Sequence, residues 1–258
     1  MTTVDGDAGE SGPNVLIVGA TSAVAQAVAR RFVRRGWNLF LAGRDEAALE
    51  ALAADLRVRG DATIVTGRFD ASSVPPPETW ELAAGAFPRG LDGVLVCHGS
   101  LLDERSGLLD GEEIRRTIDV NFTSVAVLLG EAAEYFAERR RGFIAAISSV
   151  AGDRGRQSNF CYGAAKAGLT AYMSGLRNRL HSRHVHVLTI KPGIIDSPMT
   201  RGLDIGPKPL VTTPDRVAED IERAILLRRD TVYAPWFWRP IMDIIKAIPE
   251  AIFKRMKL

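Results

Sequence analysis

Tyr162 and Lys166 stand four residues apart, and Ser149 lies thirteen residues before the tyrosine. A phenol, an ammonium and a hydroxyl in so short a span can pass a proton to or from a bound carbonyl compound. An unperturbed tyrosine titrates near about 10, so one that exchanges protons near neutral pH needs a positive charge beside it. Lys166 supplies that charge, because residues four apart share one helix face. The residues after it, Leu169, Ala171, Tyr172, Met173 and Leu176, keep a helical apolar period. Ser149 follows the apolar run 143–147, which reads as a buried strand, and a hydroxyl at a strand end can hold a substrate carbonyl. Tyr-x-x-x-Lys occurs by chance in many helices. The serine at this spacing, behind a strand and ahead of a glycine, makes the pair informative.

The elements that must position these groups alternate along the chain. Apolar runs predict strands at 14–18, 37–41, 62–66, 91–97, 143–147, 185–190 and 231–234, with helices between them, among them 45–59, 112–140 and 162–181. Gly60 is a stop signal for the second helix. Strand–helix alternation predicts an α/β fold of the Rossmann type, a doubly wound, seven-stranded parallel sheet with helices on both faces in one domain. The expected division is a disordered tail at 1–12, the Rossmann domain at 13–234, and an amphipathic aromatic and basic tail at 235–258. The triple proline at 75–77 is a stiff loop inside the domain.

Ligands of such sheets bind at the carboxyl ends of the strands. The turn after the first strand, Gly19, Thr21, Ser22, Ala23 and Val24, offers backbone N–H groups and a helix N-terminus to a dinucleotide pyrophosphate. Arg44 ends the second strand, where an arginine pairs with a ribose 2′-phosphate and an acid accepts from a 2′-hydroxyl. NADP is therefore favoured, while the adjacent Asp45 leaves NAD open. Asp70 after the third strand either accepts from an adenine amino group or caps the turn before Ser72. His98 and Gly99 end the fourth strand, with His98 read as a pocket-lining group rather than a base and Gly99 as a point of close cofactor approach. Asn121 lies inside a helix, where its amide either satisfies a backbone carbonyl or holds a water. Pro192, Gly193, Ile195 and Ser197 follow the sixth strand, and their backbone is placed to grip a nicotinamide amide. The aperiodic stretch 200–214 reads as a lid.

Taken together, Asn121, Ser149, Tyr162, Lys166 and Pro192-Gly193 resemble the short-chain dehydrogenase/reductase family, over 14–234. The resemblance implies that Tyr162 is the general acid/base and that Lys166 lowers its pKa and binds the nicotinamide ribose. It further implies that Ser149 orients the carbonyl, Asn121 maintains a proton relay, and a nicotinamide cofactor carries the hydride. Two departures stand out. Ala23 and Ala25 replace the second and third glycines of the family's first turn, and Val96-Cys97-His98-Gly99 replaces its Asn-Asn-Ala-Gly turn. A narrower resemblance, carried by 152–162 and by the run from Val232 to the C-terminus, is to reductases of decaprenylphosphoryl-2-keto-erythro-pentose. It implies a lipid-linked keto-sugar of cell-envelope biosynthesis as substrate. The rival readings are a soluble small-ketone or secondary-alcohol dehydrogenase and a catalytically silent dinucleotide sensor.

The C-terminal stretch bears on the substrate. Ile241, Ile244, Ile245, Ile248 and Ile252 repeat on one helix face broken at Pro249, behind Trp236, Phe237 and Trp238 and among Arg239, Lys246, Lys254, Arg255 and Lys257. Aromatics and cations beside an apolar stripe suit a membrane interface, although the same stripe can pack on the sheet or on a second subunit. Arg154 and Arg156, in the loop before Tyr162, are then placed to pair with a substrate phosphate, with Asn159 a further substrate contact.

Composition bounds the rest. The 258 residues are 46% hydrophobic and 25% charged with a net charge of +2, which suits a globular protein and argues against a nucleic-acid partner. The two cysteines, Cys97 and Cys161, form no metal or disulfide framework, so a cytoplasmic protein is expected, peripheral at the inner membrane face if the tail binds lipid. The first twelve residues are polar and acidic, so neither a signal peptide nor a span is expected of them. His184 and His186 share a strand face without a third ligand, so no metal site is expected. The helices at 112–140 and 162–181 are candidates for a homo-dimer or tetramer interface.

Overall fold

The computed structural model describes residues 12–72, 77–101, 110–200 and 208–256. The expectations for nearly all of the N-terminal tail, for residues 201–207 of the lid and for most of the triple-proline loop fall outside them.

Seven parallel strands form one sheet in the order β3-β2-β1-β4-β5-β6-β9. They are β1 (Asn14–Val18), β2 (Asn38–Gly43), β3 (Ile64–Arg68), β4 (Gly93–Val96), β5 (Phe143–Ile147), β6 (His186–Pro192) and β9 (Thr231–Ala234). The central strands are buried throughout, as expected where helices cover both faces. A small parallel pair, β7 (Ile194–Ile195) with β8 (Val211–Thr212), lies beyond the carboxyl end of β6 and has too few residues to show a period in the sequence. The winding direction reverses between β1 and β4, and that switch opens the crevice in which such folds bind ligands.

One face carries α1 (Ala23–Arg34), α2 (Glu46–Arg57) and α7 (Pro214–Leu226), packed on Val15, Ile17, Leu39 and Leu188. The other carries α3 (Pro77–Gly85), α5 (Ser124–Arg139) and α6 (Phe160–Leu180), packed on Leu16, Val18, Val94 and Ile144. Alternate residues of β1 thus feed opposite cores, the period-2 rule of a strand buried on both sides.

The predicted helix at 112–140 is divided. It runs as α4 (Gly111–Ile118), one π-helical turn at Asp119–Thr123, and α5. The π turn is an inserted residue in the helical ladder, a local change that apolar periodicity does not register. Asn121 sits in it, fully buried.

The tail folds as α8 (Trp238–Ala247) and α9 (Glu250–Phe253), with the break at Pro249 read from the sequence. Its inner side forms a third small core in which Trp238 and Met242 pack on Val150, immediately after Ser149. Trp236, Ile244 and Ile252 remain exposed. Among the described residues no helix is long and apolar enough to cross a membrane, and no group of three metal-binding side chains occurs.

Candidate active site

Ser149 caps a 3-10 turn just past β5, its Oγ accepting from the Ala151 N–H at 3.0 Å. The same hydroxyl hydrogen-bonds the Tyr162 side chain, which the first turn of α6 presents to it. Lys166, one turn on and 2% exposed, stands 5.7 Å from the centroid of the Tyr162 ring and donates to the Ile147 carbonyl at 3.0 Å. The three groups are therefore brought together.

Their electrostatics differ from the expectation that Lys166 makes the phenol acidic. Burial pushes Tyr162 up to about 12, only partly offset by the Ser149 hydrogen bond, and pushes Lys166 down to about 8. Removing both groups from water penalises phenolate and ammonium alike.

Asn121 satisfies backbone. Its Nδ2 donates to the carbonyls of Thr117 and Ser100 at 2.9 and 3.0 Å, and its Oδ1 accepts from Ser100 N–H at 3.1 Å. It anchors the strand-end segment of Gly99 to the π turn. A Cβ on Gly99 would lie 2.9 Å from Asn121 Oδ1 and 3.5 Å from Lys166 Nζ, so the amide and the ammonium border one gap that only glycine leaves open.

At the first turn, Gly19 takes φ +74°, and a Cβ there would meet the His98 backbone at 2.6 Å. Glycine is required on both counts. Gly19 and Ala20 both donate to the Ala42 carbonyl, and Ser22 caps α1 by accepting from Ala25 N–H at 3.3 Å. Thr21 turns the chain, its carbonyl taking the Gln26 amide at 2.9 Å, and Ala23 and Val24 open the helix. Ala23 and Ala25 lie in right-handed helix, with Ala25 fully buried, so the two departures from glycine impose no backbone strain.

The crevice beside this turn, with about 440 Å³ of open space, is lined by Arg44, Asp70, Ser72, His98, Gly99, Ser100 and Arg116 among others. It unites four predicted positions and adds Arg116, which sequence reasoning missed because α4 approaches β2 only through the fold. Asp45 caps α2 by accepting from Ala48 N–H at 2.9 Å, which leaves Arg44 as the crevice's charge at the end of β2. Asp70 caps its turn, one oxygen accepting from Ser72 N–H and Oγ at 2.9 and 2.8 Å; these bonds first, then Arg44, hold its carboxyl below the usual range.

His98 is held as a neutral ring. Ser124 Oγ donates to the Val120 carbonyl at 3.1 Å and so must accept from His98 Nε2, 3.0 Å away. Burial, with the Lys166 charge, pushes the imidazole down to about 3, and its buried Nδ1 has no partner among the described residues. A ring so hard to protonate is a poor base, in keeping with its reading as a lining group.

Pro192 and Gly193 follow, with Gly193 N–H bonded to the Ala234 carbonyl at 3.1 Å. A Cβ on Gly193 would run into the Trp238 indole nitrogen. Ile195 pairs with Thr212, and its carbonyl and Ser197 N–H both bond Thr200 Oγ1, tying these positions into one turn.

The loop between Ser149 and Tyr162 departs most from expectation. Arg154 donates to the carbonyls of Ile245, Lys246 and Ile248, reaches Glu250 at 3.0 Å, and stacks 3.9 Å from the Phe253 ring centroid. Its guanidinium caps the tail helix, so the phosphate role expected of it gives way to a structural one. Arg156 donates to the thioether of Met242 at 3.2 Å, and among the described residues its Nε finds no acceptor. Asn159, at the N-terminus of α6, makes no capping bond, and among the described residues its Oδ1 has no partner. Between the arginines' loop and the sheet lies a cluster the sequence did not signal: Asp153 takes Lys191 Nζ at 2.5 Å and Tyr233 Oη at 2.7 Å.

These features fit a dinucleotide: a close-approach glycine, a helix N-terminus, an orphan acceptor at His98, and a lysine with donors beyond the one bound to Ile147. A family model described as short chain dehydrogenase matches residues 13–207. An uncharacterized oxidoreductase of Streptomyces coelicolor is 35% identical over 254 residues, 95% of this chain and 97% of its own. Another, from Mycobacterium tuberculosis, is 33% identical over 244 residues, covering 94% and 96%. A short-chain dehydrogenase from Sphingobium yanoikuyae, solved in complex with NADPH, superposes with a TM-score of 0.77 at 25% identity, over 93% of this chain and 97% of that one. With its seven-stranded sheet, this chain belongs to the short-chain dehydrogenase/reductase family of oxidoreductases.

Proposed function

We propose that the protein reduces a ketone to a secondary alcohol, with Tyr162 donating the proton to the carbonyl oxygen. The observation that carries this reading is the Ser149–Tyr162 hydrogen bond beside Lys166, at the carboxyl edge of the sheet. A bound nicotinamide dinucleotide supplies the hydride to the carbonyl carbon. Ser149 orients the carbonyl oxygen toward the phenol. Burial keeps the phenol protonated at neutral pH, the state a proton donor needs, and Lys166 is free to bind the nicotinamide ribose with its remaining N–H groups. Asn121, beside the Gly99 gap, holds the path by which the phenol regains its proton. In the oxidative direction the roles reverse.

NADPH is the proposed cofactor. Arg44 and Arg116 line the crevice together, and two cations suit a 2′-phosphate better than a hydroxyl. The NADPH complex of the Sphingobium relative supports the same choice.

For the substrate, the proposal is a lipid-linked keto-sugar, with the enzyme in the cytoplasm and its tail resting on the membrane. The exposed Trp236, Ile244 and Ile252, at 71, 67 and 57%, beside Lys254 and Arg255, favour an interfacial tail. Replacing these three apolar residues by serine is expected to abolish pelleting with anionic liposomes. An unchanged bound fraction would remove the membrane part of the proposal.

Tyr162→Phe tests the chemistry. Turnover of any ketone accepted by the wild type should fall at least about 100-fold while NADPH binding persists, as removal of a general acid requires. Full turnover in the variant would end the proposal.

A further inference from the structure

Among the described residues, three buried polar atoms on the loop that follows Ser149 and on the tail helix have no partner: Arg156 Nε, Trp238 Nε1 and Asn159 Oδ1. Two are donors, and one of those belongs to a cation. A buried guanidinium normally pairs with a carboxylate, because an unpaired charge away from water is costly. Arg156 instead rests against a thioether, a weak acceptor, and burial holds its pKa below the usual arginine value. Asp153, three residues away, offsets this burial only in part, its two oxygens being held by Lys191 and Tyr233.

The position of these donors is tied to the reacting groups. Met242, which carries the Arg156 contact, is one helical turn from Trp238, and both pack on Val150, the neighbour of Ser149. Trp238 is 3% exposed, and its indole nitrogen lies against Gly193 on the segment that follows β6. Asn159 lies three residues before Tyr162, at the start of the helix that presents the phenol.

We propose that Arg156 and Trp238 form the oxyanion-reading end of the substrate pocket. The ketone substrate carries a phosphate or carboxylate oxygen that accepts from Arg156 Nε and Trp238 Nε1, while Asn159 Oδ1 takes a hydroxyl of the same molecule. This rests on the reductase reading for where the carbonyl lies, but the anion site itself does not. The arginine two residues earlier in the loop is excluded by its own bonds: the donors of Arg154 go to the end of the tail helix.

The test uses matched substrate pairs in the full-length enzyme: a keto acid with its methyl ester, and a keto-pentose phosphate with the free keto-sugar. The kcat/KM ratio of charged to neutral member is expected to be about 10- to 100-fold in the wild type, the size of one hydrogen bond to a charged group. Whichever pair shows it identifies the anion as carboxylate or phosphate. In Arg156→Met the ratio should fall toward one through a rise in KM for the charged member. In Arg154→Met it should hold, with only a lower melting temperature. A wild-type ratio near one in both pairs, or an unchanged ratio in Arg156→Met, would overturn the proposal.

Binding without turnover separates this from the reductase reading. The Trp238 indole N–H resonance, assigned with Trp238→Phe, should shift on titration with phenyl phosphate or malonate in the wild type and not in Arg156→Met. A shift in an enzyme that reduces no ketone keeps the anion site and removes the reductase reading. No shift with either anion removes the site.

Discussion

Lys166 holds its ammonium 5.7 Å from the centroid of the Tyr162 ring, yet burial moves the two groups away from the charged pair that their spacing suggests. In the folded chain the lysine sheds its proton more easily than usual, and the tyrosine holds its own more tightly.

This fixes the sign of a pH effect on stability. Lys166 titrates at about 8 when folded against 10.5 when unfolded, so between those values the unfolded chain binds more protons and stability rises with pH. Tyr162 titrates at about 12 against 10.0, so above pH 10 the folded chain binds more protons and stability falls. Lys166→Met should therefore raise the urea midpoint more at pH 7 than at pH 10. An equal gain at both would show that the lysine is not depressed.

Cofactor choice should depend on the two crevice arginines. Arg44→Ala and Arg116→Ala are each expected to lower the ratio of NADPH to NADH affinity about 10-fold, and the double variant to bring it near one, as loss of charge-assisted phosphate bonds predicts. Protein fluorescence quenching by each dinucleotide measures this directly.

The Asp153–Lys191 pair, with side chains 4 and 10% exposed, should be costly to break. Asp153→Asn leaves a buried ammonium without its counter-charge, and a loss of roughly 3–5 kcal/mol is expected in urea unfolding. Asp153→Leu combined with Lys191→Met should cost less than Asp153→Asn, because no charge is then left unpaired. Additive losses would mean that the two groups act separately.

Gly193 and Trp238 should behave as one unit. Gly193→Ala places a methyl in the indole ring and is expected to cost about 1–3 kcal/mol by overpacking, with a shift in tryptophan emission. Trp238→Leu should largely relieve that cost, since the atoms in conflict are those of the five-membered ring. Thermal melts of the two single variants and the double variant read the coupling.

The parts legible in the sequence are those governed by local period. Apolar runs gave all seven strands of the sheet within a few residues, and the four-residue spacing put Tyr162 and Lys166 on one helix. The serine-to-tyrosine spacing and Gly19 in its turn were readable for the same reason. The division of the helix at 112–140 was not, because the π turn around Asn121 leaves the apolar pattern on either side intact.

What the sequence by itself determined is therefore the order of elements, the family resemblance and the spacing of the proposed reacting groups. Only the tertiary structure decided how neighbouring residues divide their work. Arg154 and Arg156 look equivalent in the chain, yet one bonds carbonyls more than ninety residues away and the other donates to the Met242 thioether. Asp153 finds its partners at sequence separations of 38 and 80. Local propensity acts over a few residues along the backbone, whereas the partner of a buried charge is set by which distant segments the sheet and tail bring against it.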